Sequence, residues 1–153
     1  FTGGKQKNLA AAYRDTRTLE KILAVLRRGG VVGGTSAGAA VMSEEMIQED
    51  MFTDGKRKPL MGKGFGFLQN VIVDQHFLQR ERRERLEEAL RMHPHCLGVG
   101  IDEGTALVIR GRIWEVLGNS TVTLMNNQGK MKEMKHGDTH EVEIPLHELI
   151  SKN

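Results

Sequence analysis

Apolar positions in the first part of the chain follow a helical period. Leu9, Ala12, Tyr13, Leu19, Ile22, Leu23 and Leu26 recur at near-helical spacing, and this predicts one helix over residues 7–28. Gly29-Gly30 predicts its end. Residues 30–35 read as a short buried strand, and residues 37–46 as a helix that begins straight after Ser36. Residues 48–66 are polar and carry Gly, Lys and Pro59, so they read as a loop. A second strand is predicted over residues 68–73, carried by Val71, Ile72 and Val73. Residues 78–92 read as a charged helix with Leu78, Leu86 and Leu90 on one face, and residues 96–101 as another short buried strand. Beyond that point the period changes. Residues 106–109, 113–116, 121–125 and 141–144 read as short strands separated by glycine and asparagine turns. Strands alternating with helices, then a run of strands, predict an α/β sheet with an antiparallel edge.

Composition narrows this picture. A chain of 153 residues with 39% hydrophobic and 27% charged content suits one globular domain. Its formal net charge of +2 gives no electrostatic reason to expect nucleic acid or a membrane surface as partner. The single cysteine, Cys96, excludes an internal disulfide and suits a reducing compartment. No apolar run approaches the ~20 residues of a membrane-spanning helix. The opening Phe1-Thr2-Gly3-Gly4 has neither Met nor a signal-peptide pattern. It reads as the end of a strand running into a glycine loop, so the chain is expected to belong to a longer polypeptide.

The candidate chemistry centres on Gly34-Thr35-Ser36-Ala37-Gly38, a G-x-S-x-G pattern between a predicted strand and a predicted helix. A nucleophilic serine needs that context. A sharp turn exposes its hydroxyl, small neighbours fit around it, and the N–H groups of the following helix point at the site. The alternative is a glycine-rich turn with a packing serine. A nucleophile also needs a base and an orienting acid. Of six histidines, His76 lies where a predicted strand ends, the place where ligand sites form in open α/β sheets. His93 and His95 lie beside Cys96, too tightly clustered for a metal site, and read as a loop. His136, His140 and His147 fall in the strand-rich tail and read as surface positions. Asp102 and Glu103 follow the buried strand at 96–101, and either could orient the base.

Four segments then carry a family resemblance: FTGGKQ (residues 1–6), GGTSAGAAVMS (33–43), GFGFLQNVIVDQHFLQRERRERL (64–86) and GVGIDEGTAL (98–107). Together they resemble the cyanophycinases and the aspartyl dipeptidases of the same serine peptidase family, with DQHF and the following arginines closer to the cyanophycinase branch. The resemblance implies a triad in which Ser36 is the nucleophile, His76 the base and Glu103 the acid, with no metal or cofactor. The order Ser, His, acid differs from the Ser, acid, His of α/β-hydrolases. The implied fold is a class I glutamine amidotransferase-like (flavodoxin-like) α/β sandwich, mostly parallel with antiparallel C-terminal strands. Residues 1–153 would be the C-terminal major part of one serine peptidase domain. The family's N-terminal βα units are not among residues 1–153, so the expectation is either a longer polypeptide that carries them or a separate chain that supplies them; a homodimer is another expectation. The cytoplasm is the expected location, although secretion occurs among relatives.

The implied substrate is a peptide, above all cyanophycin, a polyaspartate carrying arginine on each β-carboxyl and released as β-Asp-Arg dipeptides. Such a zwitterionic substrate calls for groups of both signs. Gln6 matches the family's glutamine in the glycine loop. Asp74 and Gln75 flank the base. Arg80 and Arg83, three apart on one helix face, could grip a carboxylate, whereas Arg82 and Arg85 would belong to a solvated face laced with glutamates. The oxyanion donors would be the backbone N–H groups of Ala37 and Gly4. GKGFG (residues 62–66) lacks P-loop spacing and reads as a mobile loop bordering the site. Met42, Met46, Met51 and Met61 read as packing residues. Two other readings compete: an aspartyl or isoaspartyl dipeptidase acting on short peptides, and a non-catalytic scaffold that kept the fold.

Overall fold

The computed structural model describes residues 1–53 and 55–142. Its elements are α1 (Gln6–Tyr13), α2 (Arg17–Arg27), α3 (Ala37–Ala40), β1 (Glu45–Thr53), β2 (Lys56–Lys63), β3 (Val71–Gln75), α4 (Arg83–Met92), β4 (Leu97–Ile101), β5 (Thr105–Arg110), β6 (Ile113–Gly118), β7 (Val122–Met125), β8 (Met131–Met134) and β9 (Thr139–Glu141). The predicted strand at 141–144 coincides with β9 only at Glu141; positions 143 and 144 and the histidine at 147 lie outside the described residues.

The central sheet runs β3-β4-β7-β8. β3 and β4 are parallel, and β7 and β8 add on antiparallel. The mixed α/β class follows, with the antiparallel strands on the C-terminal side; among the described strands β3–β4 is the parallel pair. Alternation along β3 explains the layers. Val71 and Val73 point to one face, where they meet Val99, Val122, Leu124, Trp114 and Val116. The second sheet, β5-β6-β9, covers that face. Ile72 points to the other face and packs with Leu86, Ala89 and Leu90 of α4. Gly98 lets α4 approach: a Cβ there would lie 2.9 Å from Leu90 Cδ1. A third cluster, including Leu19, Ala40, Val41, Met46, Phe65 and Phe67, joins α1, α2 and α3 to the rest. Burying a leucine or isoleucine in such cores contributes roughly 1.5–3 kcal/mol each.

The structure corrects several expectations. The helix expected over 7–28 is two helices. Asp15 takes φ 58, and Thr16 is extended and caps α2 by accepting from the Leu19 N–H. Residues 30–35 form no sheet strand and are not buried: Val31 is 91% exposed. A strand needs neighbours for its N–H and C=O groups. Here Phe1 lies alongside, donating to Gly33 O and accepting from the Thr35 N–H. The helix after Ser36 is a single turn, and Met46 belongs to β1.

The expected loop at 48–66 is mostly a hairpin, β1 antiparallel to β2 with Thr53 opposite Lys56. The sequence Asp-Gly at positions 54–55 is a strong hairpin signal, and Gly55 has φ 71. The GKGFG stretch is hydrogen-bonded to the residues that follow α3, with Gly64 N–H donating to Glu44 O and Phe65 N–H to Val41 O. β3 begins at Val71, later than expected, and Leu68 instead bridges to Ser43. α4 begins at Arg83, and Leu78 is exposed while Phe77 takes the core position. β8 was not anticipated. Among the described residues no helix is long and apolar enough to cross a membrane.

Candidate active site

The turn at Ser36 is set by the glycines around it. Ser36 has φ 54, a left-handed conformation unusual for a residue with a side chain. A Cβ on Gly34 would lie 2.1 Å from Gly38 O, and one on Gly38 would lie 2.3 Å from Phe1 O. Only glycine fits either place. Ser36 sits at the N-cap position of α3, yet its side chain makes no cap hydrogen bond. Its carbonyl accepts from Ala39 and Ala40, and its hydroxyl is left for another partner.

That partner is His76. Ser36 Oγ lies 2.9 Å from His76 Nε2, and His76 Nδ1 lies 2.6 Å from Glu103 Oε1. His76 immediately follows β3 with φ 51, which swings the imidazole off the strand toward the serine. The Phe77 N–H to Ile101 O bond locks this turn to the end of β4. A carboxylate on Nδ1 holds the proton there and leaves Nε2 able to accept from the serine hydroxyl. The three sequence-predicted residues Ser36, His76 and Glu103 are thus brought into one hydrogen-bonded chain at the sheet's carboxyl edge.

Asp102, the other carboxylate considered for the orienting role, is buried and turned away. Its two oxygens accept from Leu78 N–H, Ser120 Oγ, and Thr121 N–H and Oγ1. Burial alone would raise its pKa; these hydrogen bonds, from Thr121 and Ser120 first, outweigh burial and hold the carboxyl below its usual value. Asp102 therefore clamps the loop after His76 onto the start of β7. Glu103 is left half-exposed and free to reach the imidazole. Gln79 was not anticipated from sequence; its side-chain oxygen accepts the Glu103 N–H at 3.1 Å. Nor was Ser43, whose buried Oγ accepts the Val73 N–H and ties the end of the α3 segment to β3. A lone glutamine and a lone serine carry no pattern that would mark them.

The glycine loop lies against the nucleophile. A Cβ on Gly3 would be 3.4 Å from Ser36 Cβ and 3.7 Å from its Oγ, and Gly4 has φ 138. Ala37 opens α3, so its N–H has no helical acceptor.

The residues expected to bind substrate have the following partners in the structure. Gln6 is buried, and its Nε2 donates to Ile47 O at 2.9 Å, tying α1 to β1. Asp74 is buried on the α4 face of β3, where it pairs with Arg82 Nη1 at 3.2 Å and with Arg85 through both of its oxygens. Gln75 is buried too. Its backbone and side-chain oxygens both accept from Arg82. The solvated face expected for Arg82 and Arg85 is corrected. Arg80 and Arg83 are exposed, with Arg83 on Glu87, while Arg82 and Arg85 are buried. α4 starts at Arg83 and rides on Gly98, so its inward stripe runs through Arg85, Leu86, Ala89 and Leu90.

Among the described residues, the other histidines stay apart from this hydrogen-bonded set. His93 lies 3.9 Å from Glu45, His95 is exposed, His136 accepts the Gly118 N–H, and His140 lies beside Lys132. Cys96 is in the core, and burial pushes its thiol up to about 11. Among the described residues no group of His, Cys, Asp or Glu has metal-binding geometry.

Comparison with known proteins agrees with the resemblance of the four segments. The model of peptidase family S51 matches residues 1–117. The chain is 42% identical to a cyanophycinase of Geminocystis herdmanii, over 97% of this chain and 56% of that protein. It is also 42% identical to a cyanophycinase of Trichormus variabilis, over 82% of this chain and 44% of that one. To a cyanophycinase of Synechococcus elongatus it is 39% identical, over 82% and 40% respectively. The chain spans about half the length of the curated relatives it matches.

Proposed function

The chain belongs to peptidase family S51, and on that premise we propose that it carries the catalytic centre of a serine peptidase that degrades cyanophycin to β-Asp-Arg dipeptides. The observation that carries this reading is the hydrogen-bonded chain from Ser36 through His76 to Glu103, at 2.9 and 2.6 Å. In the proposed reaction, His76 Nε2 takes the Ser36 proton as Oγ attacks the scissile carbonyl. The N–H groups of Ala37 and Gly4 hold the developing oxyanion, and the approach of the glycine loop to Ser36 supports this. His76 then passes its proton to the leaving amine, and water hydrolyses the acyl-enzyme. Glu103 fixes the tautomer and stabilises the imidazolium. The half-exposed Glu103 supports an open site that a polymer could enter. A class I glutamine amidotransferase-like fold, residues 1–153 as part of a single peptidase domain, and homodimeric assembly belong to the same proposal.

The test is incubation of the full chain with insoluble cyanophycin, and separately with β-Asp-Arg and isoaspartyl dipeptides, beside Ser36→Ala. Soluble β-Asp-Arg should appear from the polymer only when Ser36 is present, with the variant slower by about a thousandfold or more. Cleavage of short isoaspartyl peptides with the polymer left intact would replace this reading with a dipeptidase. No cleavage of either, with no effect of Ser36→Ala, would favour the scaffold.

A further inference from the structure

A buried ionic network lies behind the turn that carries His76. Asp74 is shared by Arg82 and Arg85. Arg85 continues to Asp50 of β1 at 2.8 Å, and Asp50 pairs with Arg57 of β2 at 2.5 Å. Arg57 Nη1 then reaches Arg80 O at 3.1 Å, and the Arg80 N–H bonds to His76 O. At the other end, Arg82 Nη1 donates to Gln75 O, the carbonyl just before His76. Guanidinium groups therefore hold the segment from 75 to 82 at both ends. That segment contains two left-handed residues, His76 (φ 51) and Glu81 (φ 49), and such backbone persists only where its surroundings over-determine it.

The composition of the network argues for geometry over stability. Three guanidinium groups face two carboxylates, and Arg57 Nε and Arg82 Nε are buried without partners among the described residues. Buried ion networks of this kind commonly add less stability than an apolar core of the same volume. What they supply is direction, since a guanidinium fixes its acceptors in a plane. The hairpin β1–β2 forms its own two-stranded sheet, and Asp50 and Arg57 are its charged link to α4 and the His76 turn.

We propose that Asp50 and Arg57 are positioning residues, and that the hairpin β1–β2 is a brace holding the His76 turn in the geometry that activates Ser36. This rests on Ser36 as nucleophile and His76 as base. The experiment uses a small fluorophosphonate reagent on the full chain, because its reaction with Ser36 needs the base but no extended substrate groove. Saturation kinetics would be measured for the parent, Asp50→Asn, Arg57→Gln and Arg57→Lys, below the onset of melting for each. The maximal labelling rate should fall about tenfold or more in Asp50→Asn and Arg57→Gln, with reagent affinity unchanged. Arg57→Lys should recover part of it. Variants that label at the parent rate overturn the brace while leaving the serine reading intact. A loss confined to reagent affinity also overturns it, making these residues binding groups. A parent that does not label overturns the serine reading itself. Should Asp50→Asn fail to fold, the half-exposed Arg57 decides the matter.

Discussion

At the residue scale, adjacent carboxylates have different work. Glu103 meets the imidazole, and Asp102 accepts four hydrogen bonds from the surrounding loops. From sequence the two were equivalent candidates beyond one strand, and only the resemblance favoured Glu103. What separates them is the side of the backbone each occupies and the donors at Ser120 and Thr121, which lie far along the chain. Replacement tells them apart. Asp102→Asn should lower stability at neutral pH by about 3 kcal/mol, because an ionised acceptor of several buried bonds is lost. The sign with pH follows from the lowered folded-state pKa. The carboxylate's contribution is complete above its unfolded value, about 3.9, and disappears as pH falls through the folded value. Parent and variant should therefore differ in urea unfolding at neutral pH and converge as pH falls through the folded value. A gap that stays constant with pH would mean the charge of Asp102 is not what holds the loop.

At the element scale, the nucleophile turn was legible because it is written locally. Glycines at 34 and 38 flank Ser36, and their lack of Cβ is required by contacts within the same few residues and Phe1. Gly34→Ala should block closure of the turn and remove Ser36 labelling, whereas Thr16→Ala, at the α2 cap, should lower stability by about 1 kcal/mol and leave labelling intact. Labelling retained in Gly34→Ala would show that the turn tolerates a methyl and that its geometry is not set by sterics. The hairpin was missed for the opposite reason. Beyond the buried Met46 and Ile47, its contacts with α4 and the His76 turn include Asp50 and Arg57, so part of its inward face is charged and the stretch reads as solvated. Pro59 and the lysines reinforced that reading, although a two-stranded sheet leaves edges on which proline is tolerated. The same blindness applies to α4, where a binary pattern counts Arg82 and Arg85 as outward because it cannot see Asp74 on β3.

At the scale of the whole molecule, the mixed α/β class and the antiparallel C-terminal strands were readable from the change of period beyond β4, and the candidate site from the G-x-S-x-G turn and the two segments that end β3 and β4. Pairing order could not be read, because it depends on contacts between distant strands. The strand expected at 30–35 shows this most clearly. Its apolar residues suit a sheet interior, yet Val31 is 91% exposed, and among the described residues Phe1 is the backbone neighbour of Gly33 and Thr35. An extended apolar segment with open N–H and C=O groups is a template for pairing with another chain. A protein made of these 153 residues should therefore self-associate as its concentration rises, and sedimentation velocity should detect it. Val31→Lys should shift the equilibrium toward the monomer, since a charge on an open edge opposes strand addition. The substitution faces solvent and lies outside the Ser36–His76–Glu103 chain, so fluorophosphonate labelling of the monomer should be retained. If the parent is monomeric throughout, the segment is not an association edge, and its exposure is tolerated as an isolated apolar surface. If Val31→Lys abolishes labelling without changing association, the segment instead supports the turn at Ser36, through the Phe1 bonds to Gly33 and Thr35 that flank it.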